Sequence, residues 1–108
     1  MLITTCDSVE ERRTIQTLGL VRGSAIRSRH VFHDFGEWLR NLVGSELHHY
    51  TKMMAETREQ ALDRMSDHAH RMGADAVVAV RFATTSIASG AAELLAYGTA
   101  VKLAPPER

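Results

Sequence analysis

The chain has 108 residues, with thirteen Lys and Arg balanced by thirteen Asp and Glu for a net charge of zero. That length suits one domain with a modest core, and the charge balance excludes a nucleic-acid or polyanion binder that works through bulk charge. A single cysteine, Cys6, excludes an internal disulfide and any thiolate cluster within one chain.

These features suit a reducing cytoplasm, which is the expected location. Met1-Leu2-Ile3-Thr4-Thr5-Cys6 reaches acidic residues too soon for a signal peptide. No apolar run approaches the roughly 18 residues of a membrane span. Neither membrane nor nucleic acid is therefore an expected partner.

Leu2–Thr5 is a short β-prone run, and the charged Asp7–Arg13 reads as a loop. Thr14–His30 is the first long β region. Gly19 and Gly23 interrupt it, and mid-strand glycines mark bulges or close backbone approaches. Arg22, Arg27, Arg29 and His30 make it the most basic stretch. The plain reading is a solvated edge strand that its charges protect from aggregation.

Val31–Val43 predicts a short helix, with Asp34 near its N-terminus and Phe35, Trp38, Leu39 and Leu42 on one face. Gly44-Ser45 turns the chain into a long helix of about 27 residues, roughly 40 Å. At about 100° per residue, Leu47, Met54, Ala61, Met65, Ala69 and Met72 share one arc. Tyr50 and Thr57 lie on one edge of that arc and Leu62 on the other. Glu56, Glu59, Asp63, Asp67 and His70 lie away from it. Ser45 suits the N-cap and Gly73 the left-handed stop.

Asp75–Ile87 and Ala91–Leu103 read as strands joined by Ala88-Ser89-Gly90, a hairpin signal. Ala104–Arg108 is expected to be a flexible tail. With an odd loop length, alternation places Ala76, Val78, Val80 and Phe82 with Leu94, Ala96, Gly98 and Ala100 under the helix, and a two-residue loop would swap the grouping. The opposite face then holds Val77, Ala79, Arg81, Ala83 and Thr85 with Glu93, Leu95, Tyr97, Thr99 and Val101. Such a face is too apolar for solvent, and an unpaired Arg81 or Glu93 is too polar for a monomer core. A subunit interface or an oligomer's lumen, with Arg81 and Glu93 paired, resolves the conflict. The expected architecture is an α+β fold, an antiparallel or mixed sheet with one long and one short helix in the order β-β-α-α-β-β.

Arg40-Asn41-Leu42-Val43-Gly44, Tyr50, Gly73-Ala74-Asp75-Ala76-Val77-Val78, Gly90 and Tyr97-Gly98-Thr99-Ala100-Val101 together resemble the YbjQ-like family. The resemblance runs from about Thr14 to Leu103. It implies a small α+β subunit that assembles into a homopentameric ring, under a heavy-metal-binding label. No CxxC or HExxH motif in this chain supports that label.

Among single residues, His30, His33 and Asp34 are the metal candidates, because a strand-to-helix turn can converge three such ligands. Adjacent His48 and His49 point too far apart to share an ion. His68 lies within the apolar arc and suits a hydrogen-bonded, partly buried role. Cys6 has no partner in its own chain and reads as a small apolar or surface residue. Arg81, Glu93 and Tyr97 could hold a small polar ligand, against the plainer reading of a structural ion pair. Asp75 could bind a ligand or accept backbone hydrogen bonds at the helix-to-strand turn. No nucleophile–base–orienter set is visible, so an enzyme is not expected. The functional expectation is a homo-oligomeric binding protein with a transition metal or small ligand at a subunit interface. The alternative is a purely structural oligomer.

Overall fold

The computed structural model describes residues 1–28, 45–88 and 91–106, with backbone alone at 28, 45–50, 87 and 88. The expected short helix, its Phe35, Trp38, Leu39 and Leu42, and the hairpin residues Ser89 and Gly90 lie outside the described residues. The fold is α+β. Strands β1 (Leu2–Ile3) and β2 (Thr14–Ser28) precede helix α1 (Ser45–Arg71), and β3 (Ala76–Ala88) and β4 (Ala91–Leu103) follow it. They form one mixed sheet in the order β1-β3-β4-β2. β1 runs parallel to β3, while β4 pairs antiparallel with both β3 and β2. β2 is thus an edge strand.

Helix α1 has 27 residues, and its side chains sort as the arc requires. Ala61, Met65, Ala69 and Thr57 are buried, whereas Glu56, Glu59, Asp63, Asp67 and His70 are exposed. Thr57 satisfies its hydroxyl by donating to the Met53 carbonyl at 2.7 Å, one turn back. Gly73 ends the helix with φ of 81°. Its N–H donates to the His70 carbonyl at 3.0 Å, and the Ala74 N–H reaches back to Ala69 at 3.1 Å. This pair of bonds is a Schellman cap, which a residue with a Cβ would form only with strain.

The two β2 glycines have different jobs. Gly19 has φ of 131° and sits where the β2–β4 register slips, a bulge. Gly23 is the crossing point of the helix. A Cβ there would lie 2.2 Å from the Met65 amide nitrogen and 2.3 Å from the Ala61 carbonyl oxygen. Val21 and Ala25 flank the crossing and complete the core with Ala61, Met65, Ala69, Val77, Val80, Ala96 and Ala100.

The strand alternation expected for β3 holds in its second half and fails in its first. Two register shifts against β4 fall at Ser86/Ala88 and Val78/Arg81. The second contains Ala79 at φ 54°. That extra residue inverts the parity. Val80 and Ala96 face the helix as expected, but so does Val77, while Ala76 and Val78 face the other way. An alanine in the left-handed region is unfavourable by about 1–2 kcal/mol, so neighbours must hold it. The N-terminal segment does so. Ala79 N–H donates to Cys6 O at 2.8 Å, Val80 N–H to Thr4 O at 3.0 Å, and Thr4 N–H to Val77 O at 3.0 Å.

The same segment covers part of the second sheet face. Val9 packs on Ala76, Val78, Val101 and Leu103. Val101, expected to await a partner subunit, is therefore buried within one chain, and Val77, expected on the same face, is buried on the helix side instead. Ala104, expected in the tail, is tied down instead. Its N–H donates to Arg13 O at 2.8 Å and its carbonyl accepts from Arg12 Nε at 3.0 Å.

Candidate functional site

The residues expected to form one site are spread over the sheet. Arg81 stands opposite Tyr97, and Glu93 stands opposite Thr85. Within the single chain Arg81 and Glu93 do not pair. The Arg81 guanidinium donates through Nη1 to the Thr5 carbonyl at 3.0 Å and to the Val80 carbonyl at 2.8 Å, which clamps the N-terminal segment over the bulge. Asp75 is used structurally. Its Oδ2 accepts the Leu103 N–H at 2.8 Å, and its own N–H donates to Val101 O at 2.9 Å. His30, His33 and Asp34 lie outside the described residues, as do the side chains of His48 and His49. Cys6 is exposed and unbonded through its sulfur.

Two surfaces remain. The first is the sheet face turned away from α1. Directly opposed residues share a face, so Leu20, Arg22, Ser24 and Ile26 lie beside Thr99, Tyr97, Leu95 and Glu93. Beyond the area that Val9 covers, this face is open: Leu20 is 64% exposed, Ile26 53% and Tyr97 36%.

The second surface is a groove of about 660 Å³ that wraps the outer edge of β2. Arg22, Gly23 and Ser24 form its floor, Arg64, His68 and Arg71 one wall, and Glu93 and Leu95 the other side. Arg64, His68 and Arg71 recur at i, i+4 and i+7, one edge of the helix. Two of these side chains reach the otherwise unpaired backbone of the edge strand. His68 Nδ1 accepts the Arg22 N–H at 3.4 Å, and Arg64 Nη1 donates to the Ser24 carbonyl. A neutral His68 that accepts through Nδ1 carries its proton on Nε2. Among the described residues, the guanidiniums of Arg22, Arg64 and Arg71 have no carboxylate partner. Sequence reasoning noted Arg22 as a basic strand residue and His68 as a partner-seeking histidine. It did not single out Arg64 and took Arg71 only as a cation at the helix C-terminal end, although their spacing with His68 was a usable signal.

A family model described as "putative heavy-metal-binding" matches residues 1–104 of this sequence. The chain belongs to the YbjQ family. A UPF0145 protein of Methanococcus maripaludis is 58% identical over 103 residues, which cover 95% of this chain and 92% of that one. A second YbjQ relative, a UPF0145 protein of Thermus thermophilus, is 50% identical over 105 residues and covers 97% and 92% of the two chains. The YbjQ fold also resembles a crystal structure from Pediococcus pentosaceus, a protein of unknown function assigned to the DUF74 family. That match has a TM-score of 0.66 at 14% identity and covers 96% of this chain and 98% of the other. No described helix of this YbjQ chain is long and apolar enough to cross a membrane.

Proposed function

We propose that the protein is a homo-oligomeric binding protein rather than an enzyme, a closed ring of five copies that buries the open sheet face between subunits. The exposure of Leu20, Ile26 and Tyr97 together on that face carries the reading. Covering the exposed part of Leu20 and Ile26 is worth about 1–2 kcal/mol each. The thinness of the single-chain core adds support. Among the described residues fifteen apolar side chains are buried, and seven of them are alanines, so one chain removes little apolar area from water. The radius of gyration is 17.2 Å, against about 13 Å for a compact chain of this length. A closed ring repeats one interface with no free end. Light scattering coupled to size exclusion is expected to give about five times the 12.0 kDa subunit mass. A stable single-subunit species at micromolar concentration rejects the assembly.

For the metal label, the proposed ligands are His30, His33 and Asp34. Replacing both histidines with alanine is expected to abolish saturable Zn²⁺ or Cu²⁺ uptake in calorimetry. Retained affinity removes this triad, and no uptake by the parent protein removes metal binding altogether.

A further inference from the structure

We infer that the groove along the outer edge of β2 binds a small phosphorylated anion. Arg22, Arg64, His68 and Arg71 supply the donors. Its described lining comes from one chain, but Arg22, Ser24, Glu93 and Leu95 also border the open sheet face, so the assignment requires that the ring proposed above leave the β2 edge of that face uncovered.

The charge balance comes first. Three arginines and one glutamate, Glu93, line the same concavity, a surplus of two positive charges before His68 is counted. A single exposed arginine is simply solvated. Three that border one concavity without a described carboxylate partner make it electropositive, and an anion seated there is favoured by all three.

Geometry narrows the class of anion. The donors come from two elements. Arg22 belongs to the strand, while Arg64, His68 and Arg71 belong to the helix. A tetrahedral phosphoryl group offers oxygens in several directions and can bridge floor and wall, whereas a planar carboxylate presents two oxygens in one plane. The donors are also partly set in place. The Ser24 carbonyl holds one guanidinium nitrogen of Arg64, and the Arg22 N–H fixes the ring tautomer of His68. Pre-positioned donors lose less freedom on binding.

Size and lining add a further limit. About 660 Å³ exceeds what a lone phosphate fills and lies within the range of small-molecule sites. Leu95 is the one large apolar side chain in the lining, so a polar carrier fits better than a flat aromatic one. A second concavity along the helix has the opposite character. Glu56, Glu59 and Asp63 line it with Arg27 as the one cation, so the preference for anions is local to the groove.

The test is isothermal titration of the untagged protein with inorganic pyrophosphate at low ionic strength. Saturable uptake of one pyrophosphate per chain is expected. Arg71→Gln should weaken it by about tenfold or more, the loss of one charge-assisted contact. Glu93→Gln should strengthen it several-fold by removing a like charge. Arg58→Gln, an exposed helix position outside the groove, should change it by less than about twofold. Circular dichroism of each variant confirms folding, and Glu93→Gln keeps the test open should Arg71→Gln misfold, because it predicts a gain. No saturable heat from pyrophosphate overturns the assignment. So does an equal loss in Arg58→Gln and Arg71→Gln, which would mark bulk charge. Citrate binding as tightly as pyrophosphate overturns the phosphoryl class.

Discussion

Gly23→Ala is expected to destabilise the protein by at least about 3 kcal/mol, read as a fall of more than about 10 °C in the thermal midpoint. The added methyl meets backbone on both sides, the Met65 nitrogen at 2.2 Å and the Ala61 oxygen at 2.3 Å. No side chain can rotate out of its way. Either α1 lifts from β2, which opens the contacts of Val21 and Ala25 with Ala61, Met65 and Ala69, or the strand bends outward. Overpacking that side chains can absorb costs roughly 1–3 kcal/mol, and backbone against backbone belongs at or beyond the top of that range. Gly98→Ala is the graded comparison. There the methyl meets Val77 Cγ1 at 2.7 Å, Val80 Cγ2 at 3.1 Å and the Val78 carbonyl at 3.0 Å. Two of the three are side-chain methyls that can shift, so a smaller loss is expected. A Gly23→Ala midpoint within about 3 °C of the parent would show that the helix does not cross the strand at this residue.

Met65→Asp is expected to abolish the cooperative transition. Met65 is fully buried among Val21, Ala25, Ala61 and Ala69. Loss of the thioether alone is worth about 2–5 kcal/mol in cavity terms. The carboxylate then finds no donor. Thr57, the one buried polar residue described, already gives its hydroxyl hydrogen to Met53. The added desolvation cost is several kcal/mol, and the sum matches the whole stability of a typical domain, about 5–15 kcal/mol. Met65→Leu separates volume from charge and should stay within about 1.5 kcal/mol of the parent. A folded Met65→Asp protein would move the core elsewhere.

The helix was legible in the sequence because its signals are local and repeat. Met54, Ala61, Met65, Ala69 and Met72 recur at helical spacing, and Gly73 stops them. β2, β3 and β4 were legible as strands for the same reason, and Gly19 and Gly23 were marked as a bulge or a close approach. Which glycine did which was not legible, because that depends on where α1 crosses, a long-range fact. The face assignment failed at one place for a comparable reason. Alternation assumes an unbroken ladder, and nothing in the run Val77-Val78-Ala79-Val80 marks the bulge. What stabilises the bulge is a segment some 70 residues away in sequence, which donates no local signal. Within one chain the expected ion pair of Arg81 and Glu93 does not form, again for a long-range reason. Arg81 serves the N-terminal segment, and Glu93 faces the groove. The groove itself was half legible. Its helix wall is a pattern, but its floor exists only once β2 lies under the helix.

The pairing of β2 has a consequence in time. Its ladder partner is β4, so Thr14 waits for Leu103 and Arg12 for Ala104, 92 positions later. During synthesis β2 is made early and stays without its partner until the far strand exists. Long-range pairing of this kind folds slowly. The helix, its cap and the β3–β4 hairpin need only near neighbours and can form first. The expected order of closure therefore runs from the second half backwards, with β2 and then the clamp of residues 4–6 on the bulge joining last.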